Sequence, residues 1–539
     1  MSTAKPTVHL LDYGAGNVRS VINALKHLGV EVIMINTPED LATADRVIFP
    51  GVGSFGPAME ALGPYVPALK EYLGTGKPFM GICVGLQSLF EGSEEAPGVA
   101  GIGYFPGCSI EFDRKGKSVP HMGWNTLRVH PSIGPLTGLT EDRHYYFVHS
   151  YAVPLTEVTR PYALATCWYG EEEFVAAARK GNVFATQFHP EKSGPVGLAV
   201  LESFLRATAP SAASASAIQE DSLTKRIIAC LDVRGDDQGK LVVTKGQGYD
   251  VREGGVVRDL GDPVEMAQRY YAEGADEVCF LNITSFRNSP LEDQPMLDCL
   301  RKASTSIFVP LTIGGGIRDT VDPDGKTRPA LEVAGAYFRS GADKVSIGSD
   351  AVYAAEEYWA AGGKGTGKSS IEQISRRYGA QAVVVSVDPK RIWVQSPELT
   401  HHHCVRARKL GPEGEAWCWY QCTVKGGREG RDLDVQQLVR AVEALGAGEL
   451  LVNCMDEDGA GKGFDHALLS DVKESTSLPV VASSGAGCAD HFPQVFGACN
   501  VEAALAAGIF HRREVSVSEV KVAVTEAGIM ARILPASSA

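Results

Sequence analysis

The sequence predicts an α/β protein of two units: an open-sheet domain, then a linker, then a closed (βα)8 barrel with an internal twofold repeat. Three observations predict it. Strand-like apolar runs alternate with helix-like segments along the chain, as in VIMI (32–35), VIFP (47–50), IIACLDV (227–233) and VVVSVD (383–388). That alternation is the mark of parallel sheets covered by helices. Residues 207–217 (ATAPSAASASA) are Ala, Ser, Thr or Pro throughout and run into Gln219-Glu220-Asp221, a stretch with too little apolar surface to fold by itself. The expected units are therefore 1–206, a linker at 207–223, and 224–539.

The third observation is the repeat, which makes the second unit a barrel. An apolar run ending in Asp occurs at Asp232 and again at Asp388. Gly-Ala-Asp-Glu at 274–277 is echoed by Gly-Ala-Gly-Glu at 446–449, VPLTIGGGI (309–317) by LPVVASSGAG (478–487), and GADKVSIG (341–348), more weakly, by AALAAGIF (503–510). Four strands per copy in the same order, taken twice, give eight parallel strands, and closure leaves no edge exposed. Barrel chemistry belongs at the C-terminal strand ends, where Asp232, Asp388, Asp456 and the glycine clusters fall. The first unit, at about 200 residues, suits an open doubly wound sheet.

Composition excludes several functions. The 539 residues carry 51 Lys and Arg against 65 Asp and Glu, a net charge of −14, which disfavours a nucleic-acid backbone or an anionic bilayer as partner. No run approaches the roughly 18 apolar residues that span a bilayer. The N-terminus shows no leader pattern, and the 12 cysteines include no Cys-x-x-Cys, so reduced thiols and a cytoplasmic location are expected. Local backbone amides can still bind small phosphorylated ligands on an acidic protein.

Two motifs in the first unit point to nucleophilic chemistry. Gly81-Ile82-Cys83-Val84-Gly85 follows an apolar run and precedes a helix-like segment. This reads as a nucleophile elbow, with glycines allowing a sharp turn, the helix N-terminus lowering the thiol pKa, and the Val84 amide facing an oxyanion. Thr186-Gln187-Phe188-His189-Pro190-Glu191 ends another apolar run, so one strand end presents a base and its orienting carboxylate. Gly51-Val52-Gly53-Ser54 adds a glycine-rich loop with amides for an oxyanion hole. Taken alone, the elbow is equally a buried thiol in a tight turn.

GICVGLQ with FATQFHPEKS resembles the class I (triad) glutamine amidotransferases over residues 7–205. LLDYGAGNVRSV (10–21), PGVGSF (50–55), VPHMGWN (119–125) and YYFVHSY (145–151) are similar to the glutaminase subunit of the imidazole glycerol phosphate synthase family. KRIIACLDV, VVTKGQ (242–247) and GADKVSIG resemble its cyclase subunit. The whole chain resembles the fused form of that family, which serves histidine biosynthesis in fungi and plants.

The resemblance implies that Cys83 attacks the glutamine amide, His189 shuttles the proton and Glu191 orients it, with Val52, Gly53 and Val84 as oxyanion donors and Val52 reorienting to switch the site on. Its acceptor is a formimino aminoimidazole carboxamide ribonucleotide with a phosphate at each end. Gly315 with Gly348 and Ser349 would serve one end and Ser484, Gly485 and Gly508 the other, with Lys245 and Asp456 as further substrate-binding residues. Asp232 and Asp388 would be acid and base for ammonia addition, arm cleavage and ring closure. Arg226, Glu277, Lys344 and Glu449 map to the ammonia entrance, also readable as bottom-face ion pairs, with Lys192 and Asp343 as partners across the interface. The elbow half is expected on the barrel's N-terminal face. No cofactor or metal is called for, the partners are small-molecule substrates, and a monomer suffices because both activities are fused. Three positions depart from bacterial cyclase subunits: Gly348 where they commonly carry Asn, Asn282 where they carry Asp, and Ser484 where they carry Gly.

Segments 319–330, 354–372 and 396–414 read as surface insertions. One contains Gly362-Gly363-Lys364-Gly365-Thr366-Gly367-Lys368-Ser369, a formal P-loop, which would make an ATP-dependent amidation the rival reading. A P-loop needs a preceding strand, and 354–361 reads helical. His401-His402-His403-Cys404 invites a metal, but adjacent histidines do not all converge on one ion, and a solvated insertion is expected. A third reading, a scaffold without activity, is opposed by the intact Cys83, His189, Glu191, Asp232 and Asp388.

Overall fold

The computed structural model describes residues 6–534 apart from position 15, segments 131–137, 207–220, 245–251 and 284–290, and positions 237, 239, 254, 255 and 258. Lys245 and most of the expected linker lie outside the described residues. Asp221 to Leu223, at the linker's end, are held by the first unit: Asn125 Nδ2 donates to Asp221 Oδ1 at 3.0 Å, and Leu223 lies against Gly123.

The first unit is built on β1 (Thr7–Leu11), β2 (Glu31–Ile35), β3 (Val47–Gly51), β4 (Phe79–Cys83), β5 (Arg128–Val129), β6 (Ala163–Tyr169), β7 (Glu172–Lys180) and β8 (Val183–Thr186). Their order in the sheet is β2-β1-β3-β4-β8-β7-β6-β5. The parallel sheet expected from the sequence is found only from β2 to β8; β7, β6 and β5 run antiparallel. Two tight turns cause the reversal. Gly170-Glu171 and Gly181-Asn182 are two-residue connections with their glycines at φ +59° and +60°, and connections that short join only antiparallel strands.

The second unit closes as expected. β9 (Arg226–Gly235), β10 (Glu277–Asn282), β11 (Leu311–Gly314), β12 (Lys344–Ile347), β13 (Val383–Val387), β14 (Glu449–Asn453), β15 (Val480–Ser483) and β16 (Ala503–Ala506) pair in sequence order, all parallel. β16 returns to β9, with Arg226 opposite Ala503 and Ile228 opposite Leu505. Helices cover the outside and begin where the sequence caps them: Asp262 accepts from the Val264 and Glu265 amides ahead of Pro263–Ala272, and Asp434 forms a capping box with Gln437. Ile228, Cys230, Cys279, Val384, Leu451, Val481 and Leu505 fill the barrel interior as one apolar cluster.

The segments expected as surface insertions are mostly exposed and are anchored to the barrel by a few buried side chains. Residues 319–330 hold a hairpin in which buried Arg328 pairs with Asp322 at 2.7 Å. Segment 354–372 ends the helix Ser349–Ala360 and begins the helix Ser370–Tyr378, burying Ala355 and Ile371 completely. Segment 396–414 contributes Val405–Arg406 to an antiparallel sheet with Pro389–Val394, Trp417–Val424 and Glu429–Asp434. The sheet's strand Trp417–Val424 is buried on both faces, with Cys418, Trp419 and Tyr420 buried in succession.

The first unit docks on the N-terminal ends of the barrel strands, as expected. Trp124 Nε1 donates to the carbonyl of Asp276, immediately before β10, at 3.2 Å, and the Arg532 guanidinium lies 3.9 Å from the Trp124 ring centroid. Val119 N–H to the Ser477 carbonyl (2.9 Å) and Gly194 N–H to the Phe308 carbonyl (2.9 Å) extend the contact around the rim.

Candidate active sites

Cys83 ends β4 at φ +53°, a left-handed conformation that costs a non-glycine residue energy and recurs at active sites. The turn is that tight because two glycines let three backbones meet. A Cβ on Gly85 would stand 2.4 Å from the Phe49 carbonyl oxygen, and one on Gly81 2.6 Å from the Gly85 carbonyl oxygen. Gly85→Ala is therefore expected to destabilise the first unit by about 1–3 kcal/mol, read as a lower thermal midpoint. The helix after the elbow, Val84–Gln87, is a single turn, shorter than the sequence implied.

His189 and Glu191 follow β8, the strand next to β4, with His189 Nδ1 and Glu191 Oε1 2.8 Å apart and both residues buried. Burial works against the imidazolium, but Glu191 and the nearby Cys83 outweigh it and hold His189 well above the usual histidine range. Nδ1 is thus committed to the carboxylate, which leaves Nε2 for the thiol. Gly51 is the register partner of Cys83, so the loop with Val52 and Gly53 starts beside the nucleophile; the Tyr13 hydroxyl donates to the Val52 carbonyl at 3.1 Å.

Sequence reasoning missed the polar layer behind the thiol. Gln187 Nε2 lies 3.5 Å from Cys83 Sγ, and Gln87 Nε2 donates to Gln187 Oε1 at 3.2 Å. His149, whose pKa burial pushes down to about 3, contacts His121 at 3.3 Å between ring nitrogens. Both glutamines sit inside quoted motifs, so their position one strand from the elbow was the available signal.

Arg226, Glu277, Lys344 and Glu449 are the first residues of β9, β10, β12 and β14, and all four are buried. They form a closed ring: Arg226 meets Glu277 at 3.0 Å and Glu449 directly, and Lys344 Nζ meets Glu277 at 2.8 Å and Glu449 at 2.6 Å. The first unit covers this ring, since Met122 Sδ lies 3.6 Å from Lys344 Nζ. The expected cross-interface pair is present, with Lys192 Nζ 2.7 Å from Asp343 Oδ2. Asn17, which the sequence did not single out, donates to the other Asp343 oxygen at 2.8 Å.

At the opposite strand ends a cavity of about 2030 Å³ opens. Asp232 and Asp388 line it, together with Gly315, Gly348, Ser349 and Asp456, and further round Ser484, Gly485 and Gly508. A Cβ on Gly315 would be 2.1 Å from the Asn282 carbonyl oxygen, and one on Gly485 2.1 Å from that of Gly463, so these two loops need glycine. Gly348 meets only Ser386, at 4.0 Å. Burial pushes the Asp388 carboxyl up, while hydrogen bonds from Asn453 (3.1 Å) and Ser386 (3.0 Å) oppose the shift. The apolar barrel interior lies between this cavity and the charged ring, and its Cys230 and Leu505 line the cavity floor.

The other motifs do different work. The element before Gly362–Ser369 is a helix, and Ser369 caps Ser370–Tyr378 through a box with Glu372, so the P-loop pattern is a helix-to-helix turn. Of the three histidines, His403 turns to Asp471 at 2.9 Å, while His401 and His402 both face Asp432 (3.5 and 2.9 Å). His402 also stacks on Trp419. Among the described residues no helix is long and apolar enough to cross a membrane.

Comparison with known proteins agrees on both halves. The class-I glutamine amidotransferase model matches residues 9–207 and the histidine biosynthesis protein model residues 226–516. The imidazole glycerol phosphate synthase hisHF of Schizosaccharomyces pombe is 56% identical over 527 residues, covering 95% of this chain and 97% of that protein. That of Emericella nidulans is 55% identical over 550 residues (98% and 99%), and the chloroplastic one of Arabidopsis thaliana 53% over 541 (99% and 90%). The chain belongs to the imidazole glycerol phosphate synthase family, in the form that joins glutaminase and cyclase on one polypeptide.

Proposed function

We propose that the two halves perform in turn the two reactions of the family, with ammonia passed through the barrel between them. Cys83 attacks the glutamine side-chain amide, and His189 takes the thiol proton and returns it to the departing ammonia. Glu191, 2.8 Å from the imidazole, holds its orientation and stabilises the imidazolium. Water then releases glutamate from Cys83. The Val84 and Gly53 amides, joined by that of Val52 when it reorients, stabilise the oxyanion.

The observation that carries this reading is the alignment of three features along one axis. The thiol site is docked over the N-terminal strand ends, the apolar interior follows, and the two-aspartate cavity opens at the far end. An apolar passage suits neutral ammonia and excludes ammonium, whose charge is costly to bury. Arg226, Glu277, Lys344 and Glu449 guard its mouth, and Lys192 with Asp343 fixes the docking beside it. In the cavity Asp232 and Asp388 move protons during ammonia addition, arm cleavage and ring closure to imidazole glycerol phosphate and aminoimidazole carboxamide ribonucleotide. Gly315, Gly348 and Ser349 take one phosphate, Ser484, Gly485 and Gly508 the other, and Lys245 and Asp456 are further substrate contacts.

The reading assigns 1–206 to the glutaminase, 224–539 to the cyclase and 207–223 to the linker. One chain then suffices as a cytoplasmic monomer, and neither step calls for a cofactor. The test is glutamate release from glutamine, without ATP or metal, with and without the formimino ribonucleotide. Release that rises at least about tenfold with the acceptor present supports coupled sites. Release absent under both conditions, from folded protein, rejects the triad.

A further inference from the structure

The twofold repeat allows the surroundings of the two catalytic aspartates to be compared position by position. Register places Leu281 opposite Asp232 and Gly314 opposite Leu281; in the second copy Asn453 stands beside Asp388 and is opposite Ser483. Two residues before each aspartate are Cys230 and Ser386, and the loop position after Gly314 or Ser483 is Gly315 or Ser484. At the four matching positions the first copy has Cys230, Leu281, Gly314 and Gly315, and Asp232 has Thr244 as a further register partner. The second copy has Ser386, Asn453, Ser483 and Ser484.

Those four polar residues form one connected set. Asn453 Nδ2 donates to Asp388 Oδ1 at 3.1 Å, and Ser386 Oγ donates to Asp388 Oδ2 at 3.0 Å. The Asn453 carbonyl oxygen accepts from Ser483 Oγ at 3.2 Å and from Ser484 Oγ. An ionised carboxyl only accepts, so the amine end of Asn453 faces Asp388 and its oxygen is left to take the two serine hydroxyls. Ser484 is held at φ +70°, in the left-handed region, and its counterpart Gly315 is a glycine at φ +94°. A side chain has been kept at a backbone conformation that favours glycine, its hydroxyl donating to Asn453 and lying 3.5 Å from cavity-lining Asp458, whose charge also pushes the Asp388 carboxyl up.

We propose that Ser484 and Asn453 are positioning residues of the cyclase reaction, a relay from a strained loop that orients the Asp388 carboxyl toward the cavity. Ser484 serves the aspartate through its side chain, while its loop can still face a phosphate through its backbone. The inference rests on the assignment of Asp388 under the proposed function.

The test uses the full chain with ammonium salt in place of glutamine, following consumption of the formimino ribonucleotide from pH 6 to 9. Ser484→Gly adopts the backbone that Gly315 already has and loses the whole hydroxymethyl group; Ser484→Ala loses only the hydroxyl while keeping Cβ and the strain. Both are expected to lower kcat about three- to tenfold, the size of one neutral hydrogen bond, with KM within about twofold. With Asn453 less firmly held, Asp388 loses stabilisation of its charged form, so the limb of the kcat profile that reports it moves to higher pH. Asn453→Ala is expected to show the same shift, larger. An unchanged kcat and pH profile, or an effect confined to KM as for a phosphate contact alone, overturns the proposal. Asp388→Asn separates the two failures: if it still cyclises, the assignment of Asp388 falls; if it is inactive while the Ser484 and Asn453 variants match the parent, the relay alone falls.

Discussion

Cys83→Ala is expected to abolish glutamine-dependent synthesis, by at least about 10,000-fold, and to leave synthesis from ammonium salt within about twofold. The asymmetry follows from the architecture. Cys83 lies at the end of β4, one register step from β3 and over the N-terminal face of the barrel, while Asp232 and Asp388 line the cavity at the other end. No second nucleophile can take over, because Gln187 and His189 face the same thiol and neither attacks an amide without it. Alanine at φ +53° fits no better and no worse than cysteine, so the elbow should survive. Measuring both nitrogen sources on one preparation separates loss of chemistry from loss of fold. Loss of the ammonium-driven rate in Cys83→Ala would mean that the halves share more than a passage, and residual glutamine-driven rate would place the nucleophile elsewhere.

Where a residue's role follows from local chain geometry, the sequence was a good guide. The eight-strand barrel was legible because its strands are apolar runs repeated in order, and the elbow because Gly81 and Gly85 mark a turn with no room for a Cβ. Of the ring at the barrel floor, Glu277 and Glu449 stand at matching places in the repeat, but Arg226 and Lys344 carry no such signal and were visible only through family resemblance. The antiparallel half of the first sheet was missed because Gly170 and Gly181 look like ordinary loop residues until their positive φ is known. The relay from Ser484 to Asp388 was missed for a different reason. It depends on which side chains face each other across β13, β14 and β15, and strand register between distant segments is not written in either segment alone. Segments 319–330 and 354–372 are largely exposed, as their polar runs suggest; what those runs did not show is the few buried side chains, such as Arg328 and Ile371, that tie them down.

Glu449→Gln is expected to be the most destabilising conservative change in the barrel. Arg226 and Lys344 face Glu277 and Glu449 in a ring whose formal charges cancel, and none of the four side chains is more than 3% exposed. Replacing one carboxylate by an amide leaves a buried cation uncompensated, at a cost of about 3–5 kcal/mol, or roughly 5–15 °C in thermal midpoint. Lys344→Met in the same chain restores neutrality, so the double variant should recover most of the loss. Acid dependence supplies an independent reading. Burial disfavours the Glu449 carboxylate, but Arg226 and Lys344 outweigh that and hold its pKa below the usual glutamate value of 4.5. A carboxyl group whose folded-state pKa is depressed contributes stability that is present above the unfolded value and lost as pH falls through the folded one. The parent should therefore lose stability as pH drops below about 4.5, and Glu449→Gln should show a shallower loss over the same range. The same variant reports on the passage. If the ring seals its mouth, disrupting it lets ammonia escape, and the ratio of glutamate formed to ribonucleotide consumed should rise above one while the ammonium-driven rate persists. A variant that is destabilised yet keeps a ratio of one would show that the four charges hold the barrel floor together without guarding it.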